Sequence, residues 1–234
     1  RPHYVAPRLP VVLCHGLYGF DTLGPESLPS LRIHYWRGIK EAMTDVGAKV
    51  HVTRVPSSGS IAQRAEELHS QLRRWFNGQE INLLGHSMGG LDGRYLISHI
   101  QPSEYRVRSL STVCTPHRGS PFMDCHLLLT NPLRAWQLFY QKIAGLLDTP
   151  AYSNLTTEFC NQFFNPSTPN HPDTAYFSYG ASYNPKIHTW SSLRLPYEII
   201  RKREGPNDGM VSLYSARWGQ YMETVSADHY DVTN

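Results

Sequence analysis

The chain has 234 residues, 40% of them hydrophobic, enough to bury one sizeable core in a single domain spanning residues 1–234. A formal net charge of +3, with Lys and Arg scattered, excludes the basic stripe that holds nucleic acid. No apolar run is long enough for a membrane-spanning helix, and the N-terminal RPHYVAPRLP lacks the apolar stretch of a signal peptide.

Strand-like and helix-like segments alternate along the chain. Leu9 to Cys14 (LPVVLC) is a short apolar run followed by a Gly-rich loop. Tyr35 to Asp45 reads as a helix, with Trp36, Ile39, Ala42 and Met43 at helical spacing. Lys49 to Val55 alternates with period two, as a strand does. Ile61 to Phe76 follows as an amphipathic helix carrying Ile61, Ala65, Leu68, Leu72 and Trp75/Phe76 on one face. Next come the apolar run Ile81 to Leu84, a helix from Met88, a strand through Val107 to Cys114, and a strand at Ala175 to Tyr179. Strands alternating with helices imply an α/β fold, with a mostly parallel central sheet and helices on both faces.

Residues 121–172 fit the alternation poorly and read as an insertion. Within it, Leu133 to Leu147 places Trp136, Phe139/Tyr140, Ile143 and Leu146/Leu147 on one helical face. Such a face either packs into the core or forms a lid that covers an active site in water and turns outward at a lipid surface. Four cysteines with no CxxC pair are too few for a disulfide scaffold. Cys14 and Cys114 fall in apolar runs as buried thiols, while Cys125 and Cys160 flank one helical region and are either free or bridged. One glycosylation sequon exists, at Asn154-Leu155-Thr156.

Gly85-His86-Ser87-Met88-Gly89 matches G-x-S-x-G between an apolar strand and a helix. The pattern answers a steric demand. A sharp strand-to-helix turn lifts the serine clear of the backbone, and side chains two positions away would collide, so both want glycine. A serine hydroxyl is a poor nucleophile at neutral pH and needs a base oriented by a third group. On a sheet of this kind the chain order is Ser, acid, His. Asp208 stands in the tight turn Gly205-Pro206-Asn207-Asp208-Gly209 after a possible strand, with Asp173 and Glu204 as rivals. Of His171, His188 and His229, His229 alone follows Asp208. An oxyanion hole needs two backbone N–H donors. Met88, after the nucleophile, supplies one; Leu17, in the loop His15-Gly16-Leu17-Tyr18-Gly19-Phe20, supplies the other. Tyr18, Phe20 and Trp136 are candidates for the acyl pocket.

HGLYGF, Tyr35-Trp36, GHSMGG, TPHRGS, NDGMV and HYDV occur here in the order found in bacterial lipases of the Pseudomonas, Burkholderia and Proteus type. The pattern resembles still more closely the fungal mitochondrial triacylglycerol lipases. That resemblance covers most of the chain, least so the 121–172 insertion. It implies the α/β-hydrolase fold with a helical lid, ester hydrolysis by Ser87, Asp208 and His229, and the Leu17 and Met88 donors. The implied substrate is an acylglycerol at a lipid–water interface. The fungal relatives imply a mitochondrial location and the bacterial ones secretion. A soluble carboxylesterase, thioesterase or phospholipase with the same triad is the alternative, and a catalytically silent lipid-binding member a further one. The bacterial relatives hold a structural calcium through the position of Asp231 and an acid upstream of the catalytic aspartate. Ile187 to Leu195 has no acid, and only Glu198 lies near. A hard cation wants six or more oxygens. No cofactor is therefore required on this reading; Asp231 is either a ligand of a structural calcium or a hydrogen-bonding partner of the loop that carries His229.

Overall fold

The computed structural model describes residues 4–18, 22–23, 33–130, 150–183 and 193–233. Six strands form one sheet: β1 (Val11–Cys14), β4 (Val50–Val52), β5 (Glu80–His86), β6 (Arg106–Val113), β7 (Ala175–Ala181) and β8 (Gln220–Val225). Their spatial order is β4-β1-β5-β6-β7-β8, and every neighbouring pair is parallel. Two further strands, β2 (Thr22–Leu23) and β3 (Ile33–His34), make a small antiparallel pair.

The alternation within β1 explains why the sheet is covered on both faces. Val12 and Cys14 join Leu68, Leu72, Leu83 and Leu110 in one core cluster. Val11 and Leu13 join Trp36 on the opposite face, with Ile39 and Met43 packed against them. A parallel strand buried on both sides reads as a continuous apolar run, as LPVVLC does. Helix α1 (Ile39–Asp45) flanks one face; α2 (Ile61–Trp75) and α3 (Met88–Tyr95) flank the other. Ile61, Ala65, Leu68 and Leu72 of α2 are at most 2% exposed, whereas Gln63, Glu66 and Glu67 face solvent.

Two sequence expectations shift, and one strand has no counterpart in the sequence reading. Tyr35 to Gly38 form a turn, because Gly38 sits at φ 80° and helix α1 starts only at Ile39. Trp36 is buried all the same. The segment before Asp208 is helix α7 (Arg194–Glu204) rather than a strand. The edge strand β8 carries mostly exposed residues, so no apolar pattern announces it.

Within the 121–172 insertion, α4 (Pro121–Thr130), α5 (Pro150–Ser153), a π-helical turn at Phe159–Phe164 and α6 (Asn165–Ser167) are described. Met123, Ala151, Leu155, Cys160 and Phe164 pack with Ile61, Met88 and Leu91 in a single cluster. These flanks are therefore core. The Leu133 to Leu147 helix and Trp136 lie outside the described residues. Asn154, the sequon asparagine, accepts from the Ile61 N–H at 2.9 Å and so caps α2. Thr156 of the sequon is 8% exposed and donates to the Ser153 carbonyl. All four cysteines are free.

Candidate active site

Strand β5 ends at His86, and Ser87 turns the chain into α3 at φ 53° and ψ −129°. L-residues rarely adopt that conformation, and holding it costs about 1–3 kcal/mol. The surroundings enforce it. The Ser87 N–H donates to the Val113 carbonyl at 2.9 Å, and the Ser87 carbonyl accepts from Thr115 Oγ1 at 2.7 Å and from the Gly90 N–H at 3.1 Å. A Cβ on Gly85 would lie 2.6 Å from the Gly90 nitrogen, and one on Gly89 2.4 Å from the Cys14 carbonyl oxygen. The elbow closes only because both positions are glycine.

Asp208 and His229 come to the same edge of the sheet from the C-terminal third of the chain. Asp208 Oδ1 accepts from the Met210 N–H at 2.8 Å and the Val211 N–H at 2.7 Å. Its Oδ2 faces His229 Nδ1 at 2.7 Å, and the His229 N–H donates to the Asp208 carbonyl at 2.9 Å. A carboxylate only accepts, so Nδ1 carries the proton. Nε2 is then a lone pair aimed at Ser87 Oγ, 3.0 Å away. Asp208 is 0% and His229 5% exposed, which keeps water from competing for either bond. The rivals lie elsewhere: Asp173 and His171 are solvent-exposed, Glu204 receives a hydrogen bond from Ser212, and His188 is outside the described residues.

The loop after β1 brings Leu17 to the wall of the cavity that Ser87 and His229 also line. Gly16 N–H is taken by Tyr35 Oη at 3.1 Å and Tyr18 N–H by the Ser57 carbonyl at 2.8 Å. Leu17 N–H lies between these two engaged donors. Met88 is the first residue of α3, where no helical carbonyl is in reach of its N–H. Arg64 braces the loop: it donates to the His15 carbonyl at 2.7 Å and the Pro56 carbonyl at 2.9 Å, and pairs with Asp92. His15 adds a second brace, with Val55 N–H donating to its Nε2 and its Nδ1 facing the Gly16 carbonyl. Motif reading missed Arg64 and Asp92, because 28 positions separate them and neither stands in a recognisable pattern.

Ser87 and His229 open into a cavity of about 160 Å³, lined mainly by apolar groups including Leu17, Phe122, Met123, Leu155 and Met210. Tyr18 and Tyr152 also line it, and the Tyr18 hydroxyl donates to that of Tyr152 at 3.0 Å. Phe20 and Trp136 are outside the described residues.

Asp231 does not fit a calcium site. Its side chain is exposed on the turn after His229, and Glu198, the nearest acid to the missing second ligand, pairs with Arg201 at 2.9 Å. The carboxylate that secures the His229 loop is Asp228, whose Oδ1 accepts from the Tyr230 and Asp231 N–H groups. Asp231 contributes its backbone and not the staple expected of its side chain. Among the described residues, one cluster brings three possible ligand atoms within 4.8 Å, namely Cys114, Asp208 and His229. There the His–Asp hydrogen bond already occupies the donors, and burial followed by the Asp208 charge pushes the Cys114 thiol well up, away from the thiolate a metal needs.

Three buried histidines make the fold acid-sensitive. Burial is the largest cause in each: His15 is lowered to about 4, with Arg64 adding to it, and His86 and His117 fall well below the usual range. Unfolded histidines take up protons near pH 6.5, so as pH falls below that the unfolded state binds more protons and stability is lost. Asp92 works the other way. Burial raises it to about 6, so it favours the folded state as pH drops through 6. Three groups against one leave a net loss of stability as pH falls from about 6 towards 4. Urea midpoints at pH 7.5 and 5 will show this as a marked drop at pH 5; equal midpoints would contradict it.

Comparisons with known proteins identify the family. The family model for palmitoyl protein thioesterase matches residues 10–179. Triacylglycerol lipase 2 of Saccharomyces cerevisiae is 36% identical over an alignment covering 99% of this chain and 82% of that protein. The chain belongs to this lipase and thioesterase family of α/β-hydrolases. A triacylglycerol lipase of Pseudomonas fragi is 28% identical to this family member, across 98% of the chain and 89% of its own length. The crystal structure of mature Bacillus licheniformis lipase superposes with a TM-score of 0.74 at 24% identity, covering 100% of this chain and 94% of that one, and confirms the fold.

Proposed function

We propose that this hydrolase cleaves the ester bonds of triacylglycerols through an acyl-enzyme formed on Ser87. One observation carries the reading: His229 stands between Asp208, at 2.7 Å, and Ser87 Oγ, at 3.0 Å, on the floor of an apolar cavity. Ser87 Oγ attacks the ester carbonyl while its proton passes to His229 Nε2. The Leu17 and Met88 N–H groups receive the developing oxyanion, each worth about 3 kcal/mol. The imidazolium, held by Asp208, returns the proton to the departing glyceride oxygen. Water then attacks the acyl-serine by the same route in reverse, releasing the fatty acid and restoring Ser87.

Tyr18 and Tyr230, 47% and 56% exposed at the cavity rim, support docking at a lipid surface, since a tyrosine presents an apolar body and a polar tip. The likeness to fungal mitochondrial lipases supports a mitochondrial location, and subcellular fractionation separates this from secretion. The match to the palmitoyl protein thioesterase model favours a second reading, in which a long-chain thioester enters the same site. A hydrolysis panel of tributyrin, triolein, a nitrophenyl ester and a palmitoyl thioester decides between them. The lipase reading expects both glycerides to be cleaved with the highest kcat/KM; cleavage of the thioester alone would replace it.

A further inference from the structure

His86 has no part in the proton transfers above, yet it is 1% exposed with both ring nitrogens engaged. Burying an imidazole is costly unless its polar atoms find partners, so a packing role alone would be served better by an apolar side chain. Its Nε2 lies 3.0 Å from the His229 carbonyl oxygen. That oxygen can only accept, so Nε2 bears the proton and Nδ1 the lone pair. Nδ1 lies 2.5 Å from Tyr35 Oη, which must then donate to it. Tyr35 Oη in turn accepts from the Gly16 N–H. One directed chain results: Gly16 N–H to Tyr35 Oη–H, on to His86 Nδ1, and from His86 Nε2–H to the His229 carbonyl. It begins one residue before the oxyanion donor Leu17 and ends on the backbone of the base.

The rings around it hold the chain in place. Tyr35 and His86 have centroids 5.7 Å apart, Trp36 packs edge-on to His86 at 6.3 Å, and His86 lies 4.8 Å from His229.

We propose that Tyr35 and His86 are positioning residues for ester hydrolysis: the His229 carbonyl sets the His86 tautomer, Tyr35 anchors the ring through Nδ1, and His86 thereby ties the base to the oxyanion loop. The proposal rests on the triad reading given above. Without the Tyr35 hydroxyl, His86 Nδ1 loses its donor and the Gly16 N–H its acceptor, so the ring is held at Nε2 alone and the link between the oxyanion loop and the base is broken. The loop that carries the imidazole then shifts. A displacement near 1 Å at a reacting group costs about 10²-fold in rate.

Tyr35→Phe removes one oxygen and keeps the ring. Histidine-selective ¹⁵N NMR reads the tautomer directly. The wild type and Y35F are both expected to show His86 protonated on Nε2, with the Nδ1 resonance of Y35F moved downfield by loss of the Tyr35 hydrogen bond. In parallel, kcat for a soluble nitrophenyl ester falls about 10- to 100-fold in Y35F while KM stays unchanged. His86→Leu loses kcat likewise. His86→Gln keeps most of it, because the amide oxygen accepts from Tyr35 and the amide nitrogen donates to the His229 carbonyl at similar spacing. A Y35F enzyme with wild-type kcat, or with an unshifted His86 Nδ1 resonance, overturns the proposal. The Nδ1 shift can also be read in a Ser87→Ala background. Failure of the triad reading shows instead as hydrolysis persisting in Ser87→Ala, whatever the state of His86.

Discussion

Ser87→Ala is expected to lower kcat for ester hydrolysis by about 10⁶-fold, the loss seen when a serine nucleophile acting with its histidine is removed. The magnitude follows from the geometry. With Oγ gone, His229 Nε2 loses the hydroxyl at 3.0 Å that forms the acyl-enzyme, while the Leu17 and Met88 donors remain to give weak residual activity. Fluorophosphonate labelling should vanish in step. A second substitution separates chemistry from strain. Ser87→Gly is equally inactive but relieves the φ 53° conformation, which Ser87→Ala leaves in place. Strain of about 1–3 kcal/mol exceeds the roughly 0.5–1 kcal/mol that glycine costs through the unfolded chain. The net gain is about 1 kcal/mol, or some 2–4 °C in Tm. A Ser87→Ala enzyme retaining a tenth of wild-type rate would remove Ser87 from the mechanism. A Ser87→Gly protein no more stable than Ser87→Ala would show that the elbow stores no strain.

Asp208→Asn ranks second, with an expected fall in kcat of about 10⁴-fold and little change in KM. The carboxylate orients His229 through Nδ1–H and stabilises the imidazolium. An amide can place its NH₂ toward Nδ1, which moves the ring proton to Nε2 and leaves no lone pair for Ser87. The fold should hold, because an amide oxygen in the Oδ1 position still accepts from the Met210 and Val211 N–H groups. Pre-steady-state acylation by a nitrophenyl ester is the measurement. A loss confined to deacylation, or confined to KM, would contradict this role.

Both expectations were legible in the sequence to different degrees. The elbow could be read locally, since its requirements for glycine on both sides, a strand before and a helix after all fall within a few residues. The acid and base could be ranked by chain order alone, because only His229 follows the turn that holds Asp208. The parallel sheet was legible from runs such as LPVVLC, whose alternate residues are all apolar because both faces are covered. The polar edge strand β8 and the helix before Asp208 were not, since neither carries a pattern that distinguishes it from a loop or a strand.

By itself, then, the sequence pointed to the nucleophile and the class of fold through residues close together along the chain, and to the order of its partners through their succession from Ser87 to Asp208 to His229. Tertiary structure alone decided which atoms meet. Asp228 rather than Asp231 secures the base loop, Asn154 caps α2 instead of standing free as a sequon, and Arg64 props the oxyanion loop. The reason is physical: a hydrogen bond depends on distances of about 3 Å and on the direction of each donor. Those are fixed only when elements far apart in sequence pack on one sheet.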